Sequence, residues 1–259
     1  MHDPTQFFLL HLIPKFIDTI ANIFWWNDLG VTGPNELYVS QFGGVGIDND
    51  IKGYLWYCTW DENDKESNGR VKANCSHAQE EGTGESIQCV VSDLYDAGFN
   101  GMNVNPEGTK LWANCLGLSE IYVYDVKANG VVKRTGSIKL YEGDSVGEDR
   151  VIIDNIEYDQ ASGDLQLGYA GVFKWNGVDT SAGIWSLLVN GGEYPGGMMV
   201  VKNGTDTAVS TKTTSFGPIS IAIQNGGYSL IGSYATFGVE VCKAATPPPP
   251  PLLPGRCQT

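Results

Sequence analysis

The feature that most constrains the fold is a hairpin-like unit that recurs four times along the 259 residues. Each copy is a short apolar run, a turn rich in Asn, Asp, Gly or Pro, and a second apolar run that starts at a Leu. The copies begin at Asn27, Asn100, Asn155 and Ser220, and the Leu follows 10, 11, 10 and 10 positions later. The fourth copy keeps the shape but loses the leading Asn. Such a unit is typical of two antiparallel strands joined by a tight turn.

The spacing of these units predicts a β-propeller. The copies start 73, 55 and 65 residues apart, somewhat more than the ~40–50 residues of typical blade repeats, which leaves room for loops. The alternative is a β-sandwich whose turns are alike by accident. We therefore expect an all-β chain in which residues 27–244 form about four propeller blades. Residues 1–26 would be a strand and connector, and the Pro-rich tail 245–259 cannot join a sheet ladder.

Other segments support an all-β chain. No stretch has convincing helical spacing of its apolar residues, and the polar, Gly-containing window 65–84 is predicted to be a loop. The strand-like runs are rich in β-branched or aromatic residues and are bounded by turn residues. They fall at 36–41, 53–60, 110–114, 120–126, 131–140, 164–169 and 228–234.

Charge and hydropathy exclude two classes of partner. The formal net charge is −14, which argues against nucleic acid because Lys and Arg carry phosphate binding. No run reaches the ~18 apolar residues that span a bilayer. The nearest candidate, residues 7–26, is interrupted by Pro14, Lys15 and Asp18 and lacks the basic region and cleavage site of a signal peptide.

The cysteines and glycosylation sequons favour an extracellular or secretory compartment. Six cysteines occur without a CxxC pair, which argues against zinc and redox motifs. An even count together with Asn-x-Ser/Thr sequons is typical of disulfide-bonded glycoproteins. Cys75 with Cys89 would staple a hairpin and Cys242 with Cys257 would pin the tail, but the sequence leaves the connectivity open. The candidate glycosylation sites are Asn74 and Asn203.

The leading residues of the repeats form a candidate metal site. Because Asn27, Asn100 and Asn155 occupy the same place in three repeats, a propeller would put them at the same end of successive inner strands, beside Asp154. Amide and carboxylate oxygens are the ligands that calcium takes in shells of ~6–8 oxygens. No His or Cys accompanies them, which argues against zinc, copper and iron. The alternative is that each Asn caps the turn of its own blade.

Three segments resemble the paraoxonase/arylesterase family. Residues 27–34 are similar to its Asn-Asp-Ile-Val-x-x-Gly-Pro segment, residues 99–108 to its Asn-Gly-Ile-Asn-x-Ser-Pro-Asp-Gly motif, and residues 154–165 to its Asp-Asn-Ile-x-x-Asp-x-x-Thr-Gly-Asp-Leu segment. The resemblance runs from about Asn27 to Lys243 and is weak between these segments.

The resemblance implies a six-bladed propeller with two axial calcium ions that hydrolyses lactones, aryl esters and, promiscuously, organophosphates. Asn27, Asn100, Asp154 and Asn155 would bind the catalytic calcium. Asp28 would bind the deeper, structural one. The partner implied is a small-molecule ester or lactone.

This chain departs from the family in one large respect. The family's amino-terminal third, with a Glu-Asp pair, two axial histidines and a cysteine, has no counterpart here, and His2, His11 and His77 do not match its histidine positions. Four blades instead of six would leave sheet edges that invite self-association or a second chain, or would mark a truncated chain. We therefore expect either an active calcium-dependent hydrolase or a truncated or inactive member of that family. The alternative is a non-catalytic calcium-binding propeller that acts as an interaction module.

Overall fold

The structure is a computed structural model, and it describes residues 25–42, 53–65, 67, 69, 71–89, 98–140, 149–174, 197–202, 208–213, 219–225, 228–233 and 239–243. Over these residues the chain is all-β, with strands that form four main sheets and two single-turn 3₁₀ helices. No described helix is long and apolar enough to cross a membrane.

The first sheet follows the order of the chain and is antiparallel throughout. It comprises β1 (Trp25–Gly33), β2 (Glu36–Phe42), β3 (Gly53–Lys65) and β4 (Val71–His77). After β5 (Gln79–Glu80), the short β6 (Gln88–Cys89) pairs with the start of β3.

The second sheet has the same order, β7 to β10, with β5 added in parallel at its outer edge. Its strands are β7 (Phe99–Val104), β8 (Lys110–Cys115), β9 (Glu120–Val126) and β10 (Val131–Lys139). The 3₁₀ helices Leu116–Leu118 and Ala128–Gly130 connect β8 to β9 and β9 to β10.

The third and fourth sheets repeat the pattern. The third contains β11 (Asp149–Tyr158), β12 (Leu165–Lys174), β13 (Gly197–Val201) and β14 (Ala208–Thr213). The fourth contains β15 (Ile219–Asn225), β16 (Tyr228–Ser233) and β17 (Val239–Lys243). The four predicted repeats are therefore the hairpins β1–β2, β7–β8, β11–β12 and β15–β16, each made of the first two strands of its sheet.

The first strands of the four sheets pack side by side in chain order, β1 on β7, β7 on β11 and β11 on β15. We call these the inner strands. The inner strands β7 and β11 approach so closely that a Cβ at Gly101 would lie 2.3 Å from the Asp154 carbonyl oxygen. The second strand of the third blade comes equally close to β15, where a Cβ at Gly168 would lie 2.5 Å from the Ser220 carbonyl oxygen. Only glycine permits this contact between backbones. Successive sheets joined at their first strands are blades of a β-propeller, so the predicted fold class is confirmed.

Apolar layers fill the space between neighbouring blades. Tyr38 and Leu55 of the first blade pack with Phe99 and Met102 of the second. The next layer joins the second blade to the third, and a smaller one joins the third to the fourth. Their members include Trp112, Ile121, Ile153, Leu165 and Met199 in the former and Met198, Val200, Ile219, Ala222 and Ile231 in the latter. Their burial, at about 25 cal/mol per Å² of apolar surface, holds the blades together.

One prediction of local structure was wrong. The window 65–84 contains β4 and β5 rather than a loop. Val71–His77 alternates between half-buried and exposed positions. Polar residues are therefore compatible with this outer strand, because one of its faces is exposed to solvent. Residues 1–24 and 244–259 lie outside the described residues.

The disulfide pairing of Cys75 with Cys89 was also wrong. Cys58 and Cys75 are directly opposite each other on β3 and β4 and form one disulfide. Cys89 bonds to Cys115, which ties the first blade to the second. Both bonds are typical of an oxidising compartment. The suggested pairing of Cys242 with Cys257 lies outside the described residues.

Candidate functional site

The inner strands share a β-bulge at the same place in each hairpin. One extra residue is inserted at Asn27 and Asp28 in β1, at Asn100 and its neighbour in β7, at Asp154 and its neighbour in β11, and at Ser220 in β15. A bulge locally breaks the ladder and re-aims the side chains that it carries. The recurring polar residues therefore occupy a point, shared by all four inner strands, where regular pairing stops.

Asp28 links the first blade to the second. Its backbone N–H donates to Ser40 Oγ (2.9 Å), whose hydroxyl donates back to the Asp28 carbonyl (3.3 Å). Its carboxylate accepts the N–H of Leu29 (2.8 Å) and, across the inner strands, the N–H of Met102 (2.9 Å). Burial raises the pKa of Asp28, and the two backbone hydrogen bonds oppose that shift.

Asp154 lies at the meeting point of three blades. The side chains of Asn100 and Ser220 hydrogen-bond to its carboxylate, and Asn155 Nδ2 donates to Ser220 Oγ (3.1 Å). Burial raises the pKa of Asp154 to about 6, and the negative charge of Asp28 acts in the same direction, while the two hydrogen bonds oppose it. The cluster therefore connects all four inner strands.

A third carboxylate lies one step further along β11. Glu157 follows Asn155 by two residues, and side chains two residues apart project from the same face of a strand. Burial raises the pKa of Glu157 to about 7, and the charge of Asp28 adds to the shift. Asn103 Nδ2 donates to the Ile156 carbonyl (3.0 Å) and lies 3.5 Å from Glu157 Oε2.

The cluster carries negative charge without a matching cation among the described residues. None of the ion pairs formed by those residues involves Asp28, Asp154 or Glu157. Asn100 is 6% exposed, and its Oδ1 atom is buried without a hydrogen-bond partner. An unpaired buried acceptor beside desolvated carboxylates costs free energy that an oxygen-seeking cation would recover. The donor set therefore fits calcium.

Carboxylates alone do not make this site. Within the described ranges, no three His, Cys, Asp or Glu side chains lie together as a metal-binding group. A cation here would need amide, hydroxyl and backbone oxygens as well. This donor chemistry suits calcium and does not suit zinc.

Of the five residues predicted as metal ligands, the structure joins Asn100, Asp154 and Asn155 in one hydrogen-bonded group with Ser220, and the charge of Asp28 acts on Asp154. The side chain of Asn27 is exposed. Sequence reasoning missed Ser220 and Glu157. Ser220 could have been found, since it leads the fourth repeat where the other copies have Asn.

His77 lies apart from this cluster. It is on β4, the fourth strand outward in the first blade. Its ring stacks on Tyr54 (4.1 Å between centroids) and meets Trp56 edge-on (4.2 Å), and Nδ1 is 3.4 Å from Ser86 Oγ. Burial lowers the pKa of His77. His2 and His11 lie outside the described residues.

No family model and no curated protein matches the chain. The resemblance to the paraoxonase family therefore rests on the sequence segments alone. The fold and the cluster define the class of protein no further than an all-β propeller with an acidic and amide-rich centre.

Solved structures similar to this chain include proteins described as lactonases. A luciferin-regenerating enzyme matches with a TM-score of 0.43 and 13% identity over 84% of this chain and 56% of that one. The periplasmic gluconolactonase of Pseudomonas aeruginosa matches with a TM-score of 0.41 and 8% identity, over 83% of this chain and 80% of that one. A putative 6-phosphogluconolactonase from Bacteroides fragilis matches with a TM-score of 0.39 and 10% identity, over 84% of this chain and 79% of that one. The chain spans just over half of the first of these, and likeness at this level transfers no activity.

Proposed function

We propose that this chain binds calcium among the bulges of its inner strands and that it is a calcium-dependent hydrolase of lactones or aryl esters in an extracellular or secretory compartment. One observation carries the proposal. Side chains from four successive blades meet at matching bulges, with buried carboxylates and a buried amide oxygen that no cation among the described residues compensates.

The proposed ligands divide into two groups. Asn100, Asp154 and Asn155 would hold the catalytic ion, with Asn27 in the predicted set because it leads the first repeat. Asp28 would hold a deeper ion, and Glu157 would add a carboxylate to it, since Glu157 is within reach of the charge of Asp28, which helps to raise the pKa of Glu157. Together with backbone oxygens and water these side chains can supply the ~6–8 oxygens that calcium requires.

Calcium, when bound, supplies a Lewis acid that polarises an ester carbonyl. The residues of the chain prepare the centre for it. Asn100 and Ser220 orient the Asp154 carboxylate by hydrogen bonds, and Ser220 orients the Asn155 amide. Because the side chains are fixed by neighbouring blades rather than by a loop, the oxygens are preorganised.

A non-catalytic calcium-binding propeller is the second candidate. It is favoured by the position of His77, the one histidine among the described residues, which lies on an outer strand against Tyr54 and Trp56 and has no hydrogen bond to the cluster. A hydrolase of this kind needs a base that titrates near neutral pH within hydrogen-bond reach of the attacking water.

Self-association, or pairing with a second chain, through unpaired blade edges stays a prediction. The fourth blade exposes Ile223, Leu230 and Val241, which are directly opposite one another on β15, β16 and β17, with Val239 beside them. This face has the apolar character of the layers between blades. Size-exclusion chromatography with light scattering measures the oligomeric state.

Calcium binding and turnover are tested in one set of measurements on the purified 259-residue protein. After treatment with EDTA, thermal unfolding is recorded with and without calcium, and hydrolysis of δ-valerolactone and phenyl acetate is assayed. A hundredfold excess over Kd stabilises by about 2.7 kcal/mol, which raises Tm by about 5–10 °C for a chain of this size. Turnover that depends on calcium supports the hydrolase.

Two variants locate the effect. Asp154→Asn removes a charge from the cluster, and Asp125→Asn removes the same charge from a partly exposed position paired with Lys110. We expect calcium stabilisation to be lost in the first and kept in the second. Calcium binding without turnover leaves only the second candidate, and the absence of any calcium effect refutes both.

A further inference from the structure

Asn114 is a buried polar residue that the ligand set does not include. It lies on β8, is 0% exposed, and its Nδ2 donates to the carbonyl of Ile153 on β11 (2.6 Å). Ile153 immediately precedes the bulge that carries Asp154 and Asn155. One side chain of the second blade thus holds the backbone of the third blade at the start of its bulge.

This contact has a measurable cost to the fold. The Oδ1 atom of Asn114 is buried and has no hydrogen-bond partner, and an unpaired buried acceptor lowers the stability of the fold. An apolar residue of similar size would avoid that cost. Asn114 makes a hydrogen bond to the Ile153 carbonyl, which an apolar residue could not make.

The same position in two other blades also touches a bulge. Asn114 is the single β8 residue opposite the bulge at Asn100, between the paired positions of the β7–β8 ladder. Ser40 holds this place in β2, and its hydroxyl bonds both backbone groups of Asp28. Gly168 holds it in β12, where a Cβ would lie 2.5 Å from the carbonyl oxygen of Ser220. At each of these places the second strand of a blade contacts the backbone of a bulge.

We propose that Asn114 is a positioning residue of the cation site, which fixes the β11 bulge so that Asp154 and Asn155 present their oxygens to one ion. This inference rests on the proposed calcium site. It goes beyond that site because the hydrogen bond of Asn114 goes to a backbone carbonyl and not to a proposed ligand side chain. Residues that orient metal ligands in this way typically change metal affinity about 10–100-fold when they are replaced.

The test uses Tb³⁺, which takes the same oxygen ligands as calcium, on the full-length, metal-stripped protein. Asn114→Leu keeps the side-chain size and removes both the bond and the unpaired acceptor, and Asn114→Ala is a second variant if the first does not fold. The matched control is Ser119→Ala, which removes another buried and unpartnered polar atom from the segment after β8. Near-UV circular dichroism establishes that each variant is folded.

Two readouts separate positioning from a merely structural role. We expect either Asn114 variant to bind Tb³⁺ roughly 10–100-fold more weakly. We also expect the luminescence lifetimes in H₂O and D₂O to show at least one additional bound water, because a displaced ligand opens a coordination position. The Ser119→Ala protein should match the wild type in both measurements.

The outcomes distinguish the inference from the function beneath it. If the wild type binds Tb³⁺ and a folded Asn114 variant binds it within twofold, with the same number of waters, the positioning role is overturned and the cation site stands. If the folded wild type binds no Tb³⁺ at millimolar concentration, the proposed cation site is wrong and the inference falls with it.

Discussion

In the absence of divalent cations, the unfolding free energy of the protein should fall as the pH rises. Asp154 should account for a large part of that loss. Burial raises the pKa of this carboxyl from 3.8 to about 6 in the folded state. A folded-state pKa above the unfolded value means that the protonated form favours folding. Its contribution is therefore fully present below about pH 4 and is lost as the pH rises through 6.

The magnitude follows from the size of the shift. About two pKa units at 1.36 kcal/mol each correspond to about 3 kcal/mol of unfolding free energy, and roughly half of it falls between pH 5 and pH 8. Glu157, with a pKa raised to about 7, acts in the same direction. Its contribution to the unfolding free energy is smaller than the shift alone suggests, because it is more exposed to solvent. The pKa of His77 is lowered, so this residue contributes the opposite trend.

Urea unfolding followed by Trp fluorescence, in EDTA at several pH values, measures the effect for the wild type and for Asp154→Asn. The contribution of His77 is common to both proteins, so it cancels in their difference. We expect the wild type to lose about 1–2 kcal/mol more than the variant between pH 5 and pH 8. Saturating calcium should remove this loss because the ion stabilises the ionised carboxylate. Equal slopes in the two proteins would refute the reasoning.

Three further predictions concern the fold and its surface. Gly101→Ala should lower the unfolding free energy by about 1–3 kcal/mol, measured by urea unfolding, because its Cβ would lie 2.3 Å from the Asp154 carbonyl oxygen; an unchanged midpoint would mean that the inner strands are further apart. Replacing Cys89 and Cys115 together by Ser should cost about 2–4 kcal/mol in the same assay, because their disulfide joins two blades, and a stability equal to that of the wild type would contradict this role. When the protein is expressed through a secretory pathway, Asn74→Gln should remove one glycan, since Asn74 is exposed on β4; identical gel mobility of the two proteins before glycosidase treatment would exclude that site.

Much of the fold could be predicted because its information is local. A hairpin depends on turn residues at a fixed spacing between two strand-forming runs, and these are visible in a single copy of the repeat. The strand at 120–126 was predicted with its observed bounds, and the strands at 36–41 and 110–114 within one residue at their ends. β4 was missed because an outer strand with a wet face has no strong apolar pattern.

The candidate site was less predictable because it depends on contacts between distant residues. Asn100 and Asn155 were found since they repeat, and Asp154 since it adjoins one of them. The bulges could not be predicted, because a one-residue insertion appears only when two strands are in register. Asn114 carries no sequence pattern at all, and its role depends on a carbonyl 39 residues away in the chain.

By itself, the sequence determined the repeating hairpins and the polar residue that leads each of them, because turn chemistry and side-chain alternation act over a few residues. The tertiary structure decided which of those residues share a site. Packing of the blades buried Asp28 and Asp154 within reach of each other's charge and left Asn27 exposed. It also brought Ser220 into hydrogen-bond contact with Asp154 and Asn155 and put Glu157 within reach of the charge of Asp28. The reason is that burial and charge coupling depend on distances between strands, which only the packing of the blades sets.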